Sequence, residues 1–187
     1  MRIGGGSARG RRLESGRKGY RPTTARVRSA LFSMLGPEGP AGRRVLDLFA
    51  GSGALGVEAL SRGAARAEFV EIDERRCEQI RRALARLGMQ DRARVHRGDV
   101  ARVARRLEGE FDIVFIDPPY DADPFVEVFS ALVGSGTLAE GAIVFAEHSA
   151  RVALPERFPG VRLDRRRRYG DTTVSVYRRE EGAARGD

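Results

Sequence analysis

The chain has 187 residues, 34 Lys plus Arg, 26 Asp plus Glu and a formal net charge of +8. That length predicts one domain with chain enough for a real core, and 41% hydrophobic with 32% charged residues excludes a disordered polymer. No apolar run approaches the length of a membrane span, and one cysteine (Cys77) with two histidines leaves no disulfide framework and little metal chemistry, so the expectation is a metal-free cytoplasmic protein with no membrane partner.

Charge is unevenly placed. Residues 1–28 hold nine basic residues and one acid, while the other 159 residues carry 25 of each sign. An arm of that kind is either a solvated tail or a polyanion contact, and its concentration favours nucleic acid. Arg9, Arg11, Arg12 and Arg21 are the candidate RNA-binding residues. The predicted organisation is a basic arm and helix over 1–35 packed on the main domain, a main domain over 41–179, and a flexible tail over 180–187.

In chain order, Val27, Ala30, Leu31 and Met34 recur at helical spacing behind a capping Thr23 or Thr24, and Gly36 to Pro40 stops that helix. Strands and helices then alternate. Residues 45–49 form a strand, Ala54–Ser61 a helix, 67–72 a strand, and Glu74–Leu87 a helix stopped by Gly88. A short strand over 93–96 precedes a helix over 100–107. Phe111–Ile116 is a strand with the continuous apolar run of a buried parallel position. Phe125, Val128, Phe129 and Leu132 mark a helix, and 142–146 another buried strand. Val161–Tyr169 and 172–178 flank the turn signal Gly170-Asp171. This pattern predicts an α/β fold, a mostly parallel, doubly wound sheet with an antiparallel C-terminal hairpin.

In such sheets ligands bind beyond the carboxyl ends of the strands. There, Gly51-x-Gly53-x-x-Gly56 matches a dinucleotide fingerprint, with Glu71 at the spacing of a ribose-binding acid. Electrostatics favours a different ligand. Asp47 ends the first strand just before the turn and would repel a pyrophosphate. Glu71, Asp99 and Asp117 end or follow the next three strands. Four carboxylates around one crevice suit S-adenosylmethionine, which lacks phosphate and carries a sulfonium and an ammonium. The expected donor site comprises Asp47, Phe49, Gly51, Gly53, Glu71, Ile72, Asp99 and Val100. Glu71 is assigned the ribose hydroxyls, Asp99 the adenine amino group, and Asp47 the methionine ammonium, directly or through water.

Asp117-Pro118-Pro119-Tyr120 follows the fourth strand and is the expected catalytic segment. An exocyclic base amine is a weak nucleophile because its lone pair is delocalised. Acceptors at Asp117 and the Pro118 carbonyl can hold the amino hydrogens, the prolines fix the carbonyl direction, and Tyr120 offers a face to an extruded base. His96 and His148 are expected to be structural or surface groups, and Cys77 core.

The segment from Asp47 to Gly53, together with 117–120, resembles the amino-methylating branch of class I methyltransferases. Arg21-Pro22-Thr23-Thr24, the run from Leu48 to Ala64 and Tyr169-Gly170-Asp171-Thr172 resemble the RsmD family, the bacterial 16S ribosomal RNA guanine-N2 methyltransferases. The resemblance implies a Rossmann-like methyltransferase fold with a seven-stranded sheet. It also implies transfer from S-adenosylmethionine to N2 of one guanine on the small ribosomal subunit, with S-adenosylhomocysteine as product. A monomer is expected. Competing readings are a DNA adenine-N6 methyltransferase, a glutamine methyltransferase, a non-enzymatic RNA-binding module and a nicotinamide oxidoreductase. The run of four arginines at 165–168 is read equally as a guarded edge strand or an RNA contact.

Overall fold

Continuous apolar runs need cover on both faces, and the sheet provides it. In the computed structural model, which describes residues 1–14, 24–119, 122–180 and 182, five strands run parallel. They are β1 (Arg44–Leu48), β2 (Arg66–Glu71), β3 (Ala93–Arg97), β4 (Phe111–Ile116) and β5 (Leu138–Ser149). The antiparallel strands β6 (Arg157–Phe158), β7 (Val161–Tyr169) and β8 (Thr172–Arg179) complete an order β3-β2-β1-β4-β5-β8-β7-β6. Strand order reverses between β1 and β4, so the crevice opens at their carboxyl ends.

Helices α1 (Ala25–Met34), α2 (Ala54–Ser61) and α3 (Glu74–Leu87) cover one face, packing on Val45, Phe69, Phe115 and Phe145. Helices α4 (Val100–Ala104) and α5 (Phe125–Gly134) cover the other, packing on Leu46, Val114, Val144 and Tyr177. Local signals set the helix ends. Thr24 caps α1 by accepting from the Val27 N–H, Asp73 caps α3, and Gly88 ends α3 at φ 68°. Cys77 and Ile80 lie on the buried stripe of α3. Gly56 lets α2 press on the sheet, since a Cβ there would lie 2.3 Å from the Phe69 ring.

Three expectations need correction. The sheet has eight strands rather than seven, because Arg157–Phe158 adds an edge too short to leave an alternating pattern. The helix starting at Val100 ends at Ala104, not at 107. Strand β5 extends well beyond 142–146, because the register with β4 shifts between Phe111 and Ile113 and the polar Glu140 and Gly141 interrupt the apolar run.

Residues 1–14 are folded back and docked. Arg2 bridges Arg12, and Ile3, Ala8 and Leu13 are buried in the α1–α3 layer. Ser61 of α2 holds the segment at both ends of its hydroxyl, donating to the Gly5 carbonyl and accepting from the Ala8 N–H. Most of the tail over 180–187, and the stretch 15–23, lie outside the described residues. Among the described residues no helix is long and apolar enough to cross a membrane.

Candidate active site

The chain leaves β1 through a forced turn. Phe49 adopts φ 58°, alone among described non-glycine residues, and Gly51 and Gly53 follow at φ 56° and 74°. For a bulky residue this conformation costs on the order of 1–3 kcal/mol and is held only by its surroundings. The Ala50 N–H to the Val70 carbonyl (3.0 Å) and the Gly53 N–H to the Ala50 carbonyl (2.7 Å) hold it. The turn delivers Gly53 as the left-handed N-cap of α2, with no side-chain cap of its own.

Two buried carboxylates take the backbone donors of this loop. Asp47 Oδ2 accepts from the Gly56 N–H at 2.9 Å, in the first turn of α2. Glu71 accepts from the Gly51 N–H at 2.8 Å and the Asp73 N–H at 2.9 Å, and the Arg76 guanidinium lies 3.9 Å away. Desolvation pushes the Asp47 carboxyl up to about 8; the Gly56 N–H opposes that shift, and Asp117 and Glu71 add to it. Asp47 has no cationic partner among the described residues.

Register puts the acids in one row. Leu48 pairs with Val70 and Ile116, and Ile116 with Ala146. Glu71, Asp117 and Glu147 therefore stand one residue beyond the same level on β2, β4 and β5. Strand alternation sets them on the face of Phe69, Phe115 and Phe145, the face covered by α1–α3. Glu147 was not singled out from the sequence, although it follows an apolar strand just as Asp117 does.

The remaining expected donor residues lie farther along the β2–β3 side. Ile72, next to Glu71, is 66% exposed, an unusual state for a large aliphatic side chain. Val100 is buried at the start of α4, and Asp99 caps that helix by accepting from the Arg102 N–H at 2.9 Å. A carboxylate retains further acceptor sites after one such bond. At the end of β4, Asp117 is half-buried, Pro118 buried and Pro119 exposed. Tyr120 lies outside the described residues.

The expected RNA-binding residues stand elsewhere. Arg9, Arg11 and Arg12 are exposed on the docked segment, where Arg11 donates to the Arg86 carbonyl and Arg86 to the Arg12 carbonyl. Arg21 lies outside the described residues. Sequence reading also missed Glu58, the anchor of that segment. Glu58 is 1% exposed and accepts from Arg28 (2.7 Å), Arg62 (3.0 and 2.7 Å) and the Gly4 N–H (3.3 Å). The available signal was the one charged residue in helix α2. His148 is buried and bonded to the Ser149 carbonyl and Ser175 hydroxyl, and burial lowers its pKa. Among the described residues no cluster could hold a metal ion.

The family model described as "Conserved hypothetical protein 95" matches residues 1–178. Ribosomal RNA small subunit methyltransferase D of Escherichia coli K12 is 38% identical over 181 residues, covering 96% of this chain and 90% of that one. Its Haemophilus influenzae namesake is 34% identical, covering 79% and 78%. The solved Escherichia coli yhhF structure, described as a proposed methyltransferase, superposes with a TM-score of 0.86 at 36% identity, covering 96% and 98%. The chain belongs to the RsmD family of small-subunit ribosomal RNA methyltransferases.

Proposed function

We propose that this chain transfers a methyl group from S-adenosylmethionine to the exocyclic N2 of a guanine in 16S ribosomal RNA of the small subunit. One observation carries the choice of donor. The loop's N–H groups at Gly51 and Gly56, which would cradle a pyrophosphate, are already satisfied by Glu71 and Asp47. A phosphate would meet the Glu71 carboxylate there, whereas a cationic, phosphate-free ligand gains from Glu71 and favours the ionised form of Asp47.

The residues fit that ligand. Glu71 keeps lone pairs for the ribose hydroxyls. Ile72 offers exposed apolar surface to adenine beside Val100, and Asp99 accepts from the adenine amino group. Gly51 and Gly53, with the turned Phe49 backbone, permit close approach. Asp47 meets the methionine ammonium directly or through water. Bound there, S-adenosylmethionine supplies an electrophilic methyl group on a cationic sulfur, leaving S-adenosylhomocysteine as a neutral thioether.

Asp117 and the Pro118 carbonyl accept from the guanine amino hydrogens and orient the nitrogen lone pair towards the methyl carbon. Reaction then rests chiefly on positioning at about 3–3.5 Å. A strong base is not needed before transfer, because the proton can leave the nitrogen afterwards. Tyr120 stacks on the extruded base. Arg9, Arg11, Arg12 and Arg21 meet the RNA backbone.

Tritiated methyl transfer tests this reading, with small ribosomal subunits from a strain lacking the enzyme set against duplex DNA and protein. Label in a single guanine, mapped to N2, is expected. Label in adenine of DNA or in protein overturns the proposed substrate. Replacing Arg9, Arg11 and Arg12 together is expected to weaken RNA binding and flatten its salt dependence. An unchanged salt slope removes the segment from the RNA interface.

A further inference from the structure

The four arginines at 165–168 are not equivalent in the fold. A register shift at Asp164 places Leu163 opposite Tyr177 but Arg165 opposite Val176. Without that extra residue, Arg165 would face the α4–α5 side. With it, Arg165, Arg167 and Tyr169 share the face of Val174 and Val176, which is the α1–α3 face. Arg166 turns the other way, donating to the Leu154 carbonyl at 2.6 Å and the Ser175 hydroxyl at 3.1 Å. Arg168 donates to the Gly170 carbonyl.

The same ladder fixes how far along the sheet these residues stand. Arg167 pairs with Val174, and Val174 with Glu147, which stands level with Asp117. Arg167 is therefore on the same face and at the same height as the acidic row. Three strand spacings, about 14 Å, separate it from Asp117. Arg165 lies two residues below. Asp164 draws towards Arg165 (3.0 Å) and Arg178 (3.6 Å), whereas Arg167 makes no ion pair among the described residues. Strand β6 pairs with Val161 and Arg162 at the far end of β7, and the Leu163 N–H beyond it donates to the Glu156 carbonyl at 2.8 Å, so the ladder on that edge stops short of the crevice end.

We propose that Arg165 and Arg167 form a phosphate-binding track for the RNA strand that carries the target nucleotide. The proposal rests on the RNA-methyltransferase reading above and extends it to a second contact surface. Along the row, charge changes sign from the carboxylates of Glu71, Asp117 and Glu147 to the guanidinium of Arg167, with Val174 between. A base drawn out to Asp117 leaves its sugar–phosphate chain outside the crevice, and the β7 edge offers that chain planar donors. Arginines that only guard an edge would act by charge at any height along the strand. A track predicts that position decides.

The test compares full-length variants in methyl transfer to small ribosomal subunits over a series of salt concentrations, with cofactor binding read by calorimetry. R165A/R167A is expected to raise KM for the subunit roughly tenfold and to reduce the slope of log KM against log salt by about 1–2. Its kcat, cofactor affinity and Tm should stay near wild type. R165K/R167K should recover most of the KM, because a point charge still meets a phosphate. R162A, which removes a single charge at the far end of the strand, should leave KM nearly unchanged. Wild-type KM and salt slope in R165A/R167A, or an equal effect in R162A, overturns the track while leaving the methyltransferase reading intact. A wild-type enzyme that transfers nothing to subunits overturns both.

Discussion

Helix α2 has a buried carboxylate at each side, and the two are handled in opposite ways. On the side of the N-terminal segment, Glu58 is enclosed by Arg28 and Arg62 at hydrogen-bond distance. On the side of the crevice, Asp47 is 2% exposed, bonded to the Gly56 N–H, and pushed by burial to about 8. Both lie in the same packed layer, so burial alone does not tell them apart. An acid matched by fixed cations holds two pieces of chain together. An acid left with backbone donors and neighbouring carboxylates gains a cation only when one arrives from outside. The difference teaches that a buried charge is read by its partners, and the donor site proposed above rests on that contrast.

The sharpest way to break this comparison is to remove Glu58. Glu58→Ala leaves the Arg28 guanidinium buried and unpaired, with an expected loss of about 3–5 kcal/mol. That corresponds to a fall in Tm on the order of 10 °C by calorimetry. A Tm within a degree or two of wild type would mean that the pair is not what fastens residues 1–14. Asp117→Ala tests the opposite kind of acid. Its kcat for methyl transfer is expected to fall about 10²–10³-fold, while Tm changes little. Retained kcat would remove Asp117 from the reacting centre.

Glu71→Ala is expected to weaken S-adenosylhomocysteine binding about 10–100-fold, from the loss of charge-assisted hydrogen bonds. Unchanged affinity by titration calorimetry would sink the ribose assignment. The smallest effect concerns protons. Burial raises Asp47 from 3.8 to about 8, so the folded chain holds a proton between those values that the unfolded chain releases. Its contribution to stability is full below 3.8 and is lost as pH rises towards 8. A bound ammonium reverses the preference. At pH 7, binding of S-adenosylmethionine should therefore release close to one proton, seen as a binding enthalpy that varies with buffer ionisation enthalpy. Asp47→Asn should abolish that variation. A buffer-independent wild-type enthalpy would show that no titrating acid meets the ligand.

Much of the crevice was legible because it is written in local order. The glycine turn, the acids after successive strands and the Asp-Pro-Pro segment each declare themselves within a few residues, and parallel strands must place their carboxyl ends together. Helices α2 and α3 have the bounds their periodicity and caps predict, since those signals act within one turn. Glu147 carries the same local signal as Asp117, an acid directly after an apolar run, and was passed over because no motif stands beside it. Glu58 was obscured because its partners, Arg28 and Gly4, lie 30 and 54 residues away.

The sequence by itself determined the alternation of strands and helices, the turn after β1 and the acidic character of the strand ends, because periodicity, capping and backbone sterics operate over short spans. Only the tertiary structure decided that the basic N-terminal residues pack as a hairpin on Glu58, and that one residue of slippage at Asp164 turns Arg165 and Arg167 towards the crevice face. Those outcomes depend on register and on pairing between distant segments, and no local preference encodes either.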